Sequence, residues 1–238
     1  MGDAAGGSGG TAAFKSYSPE ELLGPLNEFE HKYAPSPLFA AGRVNLLRGR
    51  SRVSIVGSRM ASDEGRKRAA RLARFLASKG IIVVSGLAEG IDTAAHSAVM
   101  DAGGDTVAVL GTPLDRSYPT SNTGLQQRIM REQLAVSQFP VGHPVERKNF
   151  PLRNRTMALV SEATVIVEAG DGSGSLSQGW EALRLGRALL LMRAVTTDAR
   201  LTWPEKMLHH GAIVLSEPEQ VLEALASGRP WDAADAPF

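Results

Sequence analysis

Short apolar runs alternate along this chain with longer segments in which apolar residues recur every three or four positions. The short runs predict strands at residues 53–56, 81–84, 106–110, 134–137, 164–167, 188–192 and 212–215. The helical periodicity predicts helices at about residues 62–78, 91–102, 123–131, 153–161, 176–185, 204–209 and 218–226. Such alternation is typical of βαβ units. It predicts an α/β fold, an extended Rossmann-like, doubly wound, mostly parallel sheet with helices on both faces.

The segments on either side of this alternation differ from it in composition. We expect one lead-in helix from Pro19 to about Lys32, capped by Ser18, and a short edge strand with a turn within residues 38–47. The predicted division of the chain is a flexible Gly/Ala/Ser-rich tail (1–13), a helical and extended lead-in (14–50), a Rossmann-like core (51–227) and a loose acidic tail (228–238).

Composition excludes several classes of function. The 238 residues include no cysteine, which rules out disulfides, zinc–thiolate sites, iron–sulfur clusters and cysteine nucleophiles. The histidines show no metal-ligand spacing, and neither a metal nor a cofactor is predicted. No apolar run approaches the ~18 residues of a membrane span, and the chain starts without the features of a secretory signal. The expected location is the cytoplasm.

The formal net charge of +1 hides a strong asymmetry. Between Arg43 and Gly80 there are eleven Lys or Arg residues against two acids, a local charge of +9. Between Glu217 and Phe238 the balance is −4. A basic block of this size indicates an anionic partner. The alternative interpretation is a solvated helix face that carries Arg66, Lys67, Arg68, Arg71 and Arg74.

Two predicted loops follow the first two core strands, at the sheet edge where doubly wound folds bind ligands. In the first, Gly57-Ser58-Arg59, the glycine permits a tight turn, and the serine and arginine offer donors to an anion. The second begins with Ser85-Gly86 and leads to Asp92 and His96, one helical turn apart. That pair is either catalytic or a structural hydrogen bond. The structural reading is favoured because no nucleophile lies beside it.

Two further loops carry candidate phosphate ligands. Arg153, Asn154 and Arg155 follow a Pro-containing loop, with Arg147 and Lys148 just upstream. Phe150 in that loop either stacks on a base or packs in the core, and the sequence alone favours the core. The segment from Gly170 to Ser175 is rich in Gly and Ser at a helix start, which favours an anion nest. It lacks the Gly-Lys-Ser/Thr of a P-loop, so ATPase chemistry is not expected.

The order of these motifs is more specific than any one of them. IVGSR, VVSGLAEGIDTAAH, TVAVLGTPLDRSYP, FPLRNR and VIVEAGDGSGSL, read in that order, resemble the DNA-processing protein A (DprA, or Smf) family from about Pro37 to Gly211. The resemblance implies a divergent, core-only member that binds single-stranded DNA, forms homodimers, and helps to load a RecA-type recombinase during natural transformation. Together with the loops, it predicts phosphate contacts from Gly57, Ser58, Arg59, Ser85, Gly86, Lys148, Arg153, Asn154, Arg155, Gly172, Ser173, Gly174 and Ser175.

A looser resemblance gives a second hypothesis. The LOG-type nucleoside-monophosphate phosphoribohydrolases carry an arginine-containing helix and a Gly-rich loop that align with residues 153–157 and 170–178. Their catalytic glutamate then falls on Gln178. An amide cannot act as a general base, and Glu168 and Glu181 are the candidate substitutes. The sequence therefore favours binding over catalysis, with a nucleotide sensor or hydrolase as the alternative.

Overall fold

A nine-stranded sheet forms the centre of the molecule in the computed structural model, which describes residues 14–227. The strands are β1 (Lys15–Tyr17), β2 (Leu38–Gly42), β3 (Arg52–Gly57), β4 (Ile82–Ser85), β5 (Thr106–Leu110), β6 (Leu134–Ser137), β7 (Ala163–Glu168), β8 (Ala188–Met192) and β9 (Ile213–Leu215). Their spatial order is β1-β2-β6-β5-β4-β3-β7-β8-β9. Strands β3 to β9 are parallel, while β1 and β2 add an antiparallel edge. This confirms the predicted fold class.

Ten α-helices connect and cover these strands in the described part of the chain. They are α1 (Pro19–Leu23), α2 (Glu28–Tyr33), α3 (Asp63–Ser78), α4 (Ile91–Asp101), α5 (Thr123–Glu132), α6 (Asn149–Val160), α7 (Ser175–Arg184), α8 (Arg193–Thr196), α9 (Trp203–His209) and α10 (Glu219–Ala226). Helices α3, α4 and α10 pack on one face of the sheet, and α6, α7 and α9 on the other.

The core follows from the two-residue period of the strands. In β3, Val53 and Ile55 are buried against α3 and α4, whereas Val56 is buried in the cluster on the opposite face. Because both faces are covered, the parallel strands are mostly apolar, with buried polar residues such as Ser54 and Thr164 among them. This mostly apolar pattern predicted the strands.

The strand order reverses between β3 and β7. After β3 the chain crosses by α3 to β4 on one side, and after β7 it crosses by α7 to β8 on the other. The loops that leave β3 and β7 therefore diverge, and they open a crevice at the carboxyl ends of these two neighbouring strands.

Several predicted elements differ from the structure. The single lead-in helix is two helices, because Gly24 adopts φ +88° and Asn27 caps a new start. Helix α6 begins at Asn149 rather than Arg153, since Pro151 fits in a first helical turn. The strand predicted at an edge, β2, is paired on both sides, and the unpredicted β1 is the edge. The tails predicted at 1–13 and 228–238 lie outside the described residues.

Candidate nucleic-acid interface

A cleft of about 490 Å³ occupies the crevice between β3 and β7. Its walls come from the loop after β3, the first turns of α6, and the Gly/Ser segment that leads into α7. The lining includes these predicted residues: Gly57, Ser58, Arg59, Arg153, Asn154, Gly172, Ser173, Gly174 and Ser175. Asp92 is the one acidic side chain among the described lining residues.

The loop after β3 is fixed by close packing. The Ser58 amide donates to the Glu168 carbonyl at 2.7 Å, and the Ser58 carbonyl accepts from the Ile91 amide at 3.2 Å. A Cβ on Gly57 would lie 2.5 Å from Ile91 Cγ1 and 2.7 Å from the Glu168 carbonyl oxygen, so a larger residue does not fit. The loop is therefore a rigid base for Arg59.

Arg59 is exposed at the rim of the cleft. Its guanidinium carbon lies 5.3 Å from the centroid of the Phe150 ring, within cation–π distance. Across residues 14–227, no carboxylate is within ion-pair distance of Arg59. Its charge is thus available to an anion. Phe150 also contacts Tyr118, with ring centroids 5.2 Å apart. Of the two hypotheses for Phe150, its half-exposed position in the lining fits a surface role better than a core role.

Arg153 forms the floor of the cleft rather than its rim. Its side chain is buried, and Nη1 donates to the carbonyls of Gly86 and, at 2.8 Å, of Val109. A Cβ on Gly86 would lie 2.6 Å from Nη2 and still closer to Nη1 and Cζ, so any side chain there would displace the guanidinium. Arg153 therefore contributes positive potential and support from below.

The carboxylate of Asp92 attracts the buried guanidinium of Arg153 and so offsets its charge. Its carboxylate accepts from the amides of Gly86 and Ala88 at 3.1 and 3.3 Å. Burial raises the pKa of Asp92 and lowers that of Arg153, and the attraction between the two groups opposes both shifts. A carboxylate held in this way is a structural anchor of the loop after β4.

Asp92 and His96, predicted as a pair, are not hydrogen-bonded to each other within residues 14–227, and each has separate structural partners. His96 is fully buried, and its Nδ1 lies 2.7 Å from Thr106 Oγ1. Burial lowers the pKa of His96 to about 3, so the imidazole is neutral at physiological pH. This geometry favours the structural hypothesis for both residues over the catalytic one.

The Gly/Ser segment forms an open wall. A Cβ on Gly170, Gly172 or Gly174 would meet no heavy atom within 4 Å. The segment is tied at its ends, because Asn154 Nδ2 donates to the Gly174 carbonyl at 3.1 Å and Asp171 accepts from the Thr202 amide at 3.0 Å. These glycines leave space for a ligand rather than for protein packing.

Some backbone amides at the start of α7 already donate hydrogen bonds within the Gly/Ser segment. The amides of Leu176 and Ser177 donate back to the carbonyls of Ser173 and Gly174, at 3.1 and 3.3 Å. Ser173 Oγ and Ser175 Oγ are 2.7 Å apart. The wall therefore attracts an anion through the helix dipole and two hydroxyls more than through a full set of free amides.

Four predicted residues lie outside the cleft lining. Ser85 is buried and donates to the Ile55 carbonyl at 2.6 Å. Lys148 pairs with Glu146 at 2.7 Å, and Arg155 pairs with Glu181 at 3.0 Å. Gly86 borders a smaller adjoining pocket of about 50 Å³.

Sequence reasoning missed two surface residues of this region. Met60, next to Arg59 in the lining, is 93% exposed. Tyr118 is half-exposed beside the smaller pocket. Met60 was detectable as the residue that follows the Gly-Ser-Arg turn. Tyr118 lies in a turn-rich stretch, where no hydrophobic periodicity indicates which way its side chain points.

The carboxylates considered for catalysis are engaged elsewhere. Glu168 accepts from the Ser62 amide and hydroxyl at 2.7 and 2.5 Å and so stabilises the start of α3. Glu181 pairs with Arg155 and Arg184. Gln178 is buried. With its amide oriented to satisfy both ends, it donates to the Asn154 carbonyl at 2.6 Å and accepts from the Ala158 amide at 3.2 Å.

The +9 block does not form one surface. Arg43 and Arg50 both pair with Asp105, and Arg52 pairs with Glu162, at the amino-terminal end of the sheet and away from the cleft. Arg48 donates to the Glu21 carbonyl, Arg59 lies at the rim of the cleft, and Lys79 follows the end of α3. The other five cations lie on α3. Among residues 14–227, no cluster of acids and histidines suited to a metal ion occurs, and no helix is both long and apolar enough to cross a bilayer.

Fold and site together define a class: an α/β protein with an arginine-containing cleft at the switch point of a mostly parallel sheet. Comparison with known proteins identifies the family. The family described as DNA recombination-mediator protein A matches residues 15–226, and the chain belongs to it. This confirms the resemblance seen in the motifs.

Individual relatives agree with this assignment. Protein Smf of Synechocystis is 36% identical over 88% of this chain, and DNA processing protein DprA of Streptococcus pneumoniae is 34% identical over 88%. The chain spans 54% of the first protein and 73% of the second. An X-ray structure of S. pneumoniae DprA superposes with a TM-score of 0.80 at 34% identity, covering 88% of this chain and 74% of that one.

A second solved structure shares the fold. It is DNA processing protein A of Helicobacter pylori, with a TM-score of 0.76 at 24% identity, covering 90% of this chain and 96% of that one.

Proposed function

We propose that this chain binds single-stranded DNA through the cleft between β3 and β7 and acts as a DNA-processing and recombination mediator. The observation that carries the proposal is Arg59 at the rim of the cleft, which has no carboxylate partner within residues 14–227, above a floor formed by the cationic Arg153. Phosphate groups fit this arrangement, because the opposite wall offers serine hydroxyls and a helix start rather than carboxylates.

Family membership supports the choice of ligand. The DNA processing protein A of H. pylori has a unique mode of binding single-stranded DNA, and this chain shares its fold. By the same analogy, we propose a homodimer that protects the strand and passes it to a RecA-type recombinase, as in natural transformation. Sedimentation of the free chain and of its DNA complex, with and without recombinase, tests these partner assignments.

The test of DNA binding is fluorescence anisotropy with a labelled oligothymidine and a duplex of equal length at several salt concentrations. We expect preferential, salt-sensitive binding to the single strand, because phosphate neutralisation supplies the affinity. Arg59→Gln should weaken binding to all sequences alike. Equal binding by wild type and Arg59→Gln would contradict the assignment of the cleft.

A small nucleotide is the second candidate ligand. The cleft volume of about 490 Å³ falls within the ~300–1,000 Å³ range of small-molecule sites. This candidate predicts that a nucleoside monophosphate raises the melting temperature while the oligonucleotide does not bind. Hydrolysis of that nucleotide is not proposed, since Glu168, Glu181 and Gln178 are engaged in structural contacts.

A further inference from the structure

One face of α3 carries a row of exposed cations. Lys67, Arg71 and Arg74 recur at i, i+4 and i+7, so they lie on one side of the helix. The opposite side is buried against the sheet and α4 by Ala69, Leu72, Ala73 and Leu76. We call the row Lys67–Arg71–Arg74 the α3 track.

The charge of the α3 track is only partly balanced. Lys67 pairs with Glu64 at 2.8 Å, and Glu64 lies in the first turn with the other acid of the helix, Asp63. For Arg71 and Arg74, no carboxylate within residues 14–227 lies at ion-pair distance. The arginines at the amino-terminal end of the sheet differ, because each of them has an acidic or carbonyl partner.

The α3 track leads away from the cleft. Helix α3 starts at the cleft, where Ser62 is bonded to Glu168 at the end of β7. Arg59 precedes Ser62, the residue that caps α3, by three positions. The first turn of α3 carries Asp63 and Glu64, which pair with Arg66 and Lys67. Beyond this turn the exposed side of α3 is positive as far as Arg74.

We propose that the α3 track binds the phosphates of a DNA strand as it leaves the cleft, so that one protomer contacts a segment longer than the cleft itself holds. This inference rests on the proposed function. The seven residue steps from Lys67 to Arg74 cover about 10 Å of helix at 1.5 Å per step. That length matches about three phosphates of a stacked strand at roughly 3.4 Å each. The track presents no aromatic ring, and the contact is therefore independent of base sequence.

The test compares a six-nucleotide and a twenty-nucleotide oligothymidine on the intact chain. Arg71→Gln/Arg74→Gln removes two track cations. We expect unchanged affinity for the short strand and a roughly tenfold loss for the long one at low salt. The slope of log K against log salt for the long strand should fall in magnitude by about 1.4, or about 0.7 per lost contact. Arg131→Gln/Lys206→Gln, two exposed cations on α5 and α9, is the control with the same charge change.

The outcomes separate this inference from the proposed function. If Arg71→Gln/Arg74→Gln and the control give equal slopes on the long strand, the row is a solvated helix face and the inference is wrong. If Arg59→Gln still weakens binding of the six-nucleotide strand in that case, the assignment of the cleft as the DNA-binding site stands. A wild-type protein that binds neither oligonucleotide refutes the proposed function, and the inference with it.

Discussion

Replacing Gly86 with alanine should destabilise the protein through a single buried guanidinium. The added methyl group would lie 2.6 Å from Arg153 Nη2 and closer to two other guanidinium atoms. Arg153 must then move, and it loses its bonds to the carbonyls of Gly86 and Val109. Hydrogen bonds from a charged group contribute about 1.5–3 kcal/mol each. We therefore expect a loss of about 3 kcal/mol after relaxation.

Urea unfolding followed by circular dichroism measures this effect. With a slope of about 2 kcal/mol per molar urea, the midpoint of Gly86→Ala should fall by about 1.5 M. Gly124→Ala is the matched control, because a Cβ there meets nothing within 4 Å and the residue lies in α5. It should be neutral or more stable by up to about 1 kcal/mol. Equal midpoints for the two variants would refute the argument.

The source of the destabilisation can also be tested. In an Arg153→Met background, Gly86→Ala should cost much less than in the wild type, because the group that it displaces is absent. An undiminished cost would mean that the methyl group conflicts with the backbone rather than with Arg153.

Three further predictions concern the site and its supports. Arg59→Gln should lower the salt slope of single-strand binding by about 0.7 with an unchanged melting temperature, measured by anisotropy and calorimetry; a shifted melting temperature would instead indicate a structural role. Ser62→Ala should cost about 1 kcal/mol in urea unfolding, because it removes the cap of α3 and one partner of Glu168. The pKa of His96 is about 3 in the folded protein and about 6.5 in the unfolded chain. Because the unfolded chain therefore takes up a proton first as the pH falls, the free energy of unfolding is highest above pH 6.5 and decreases below it. We expect about 2 kcal/mol less stability at pH 5 than at pH 7.5 from this residue, and a smaller pH dependence in His96→Gln.

The sequence predicted β5, β6 and β8 best. Residues 106–110, 134–137 and 188–192 are strands with the predicted bounds. Strands covered on both faces form short apolar runs, and turn-forming or charged residues flank the runs. The lead-in was predicted least well, because β1 is only three residues long and its pairing with β2 depends on residues more than twenty positions away.

At the site, the sequence did not predict which way the side chains point. Arg153 and Arg155 occupy one motif, yet one forms the floor of the cleft and the other pairs with Glu181 on the outside of α6. The difference depends on where α6 begins and on the carbonyls of Gly86 and Val109, which belong to other strands and loops. Local sequence contains neither piece of information. By contrast, the loop after β3 follows its strand directly, and the position of Arg59 was predictable from the strand alone.

The cleft is not equidistant from the two edges of the sheet. Five strand spacings separate β1 from β3, and two separate β7 from β9. At about 4.8 Å per spacing, the first edge is roughly 24 Å from the cleft strands and the second roughly 10 Å. A fluorophore or surface tether attached beside β1 therefore stands well clear of the opening, whereas the same group beside β9 sits within reach of a ligand's flanks. Attachment chemistry for binding measurements belongs on the β1 side.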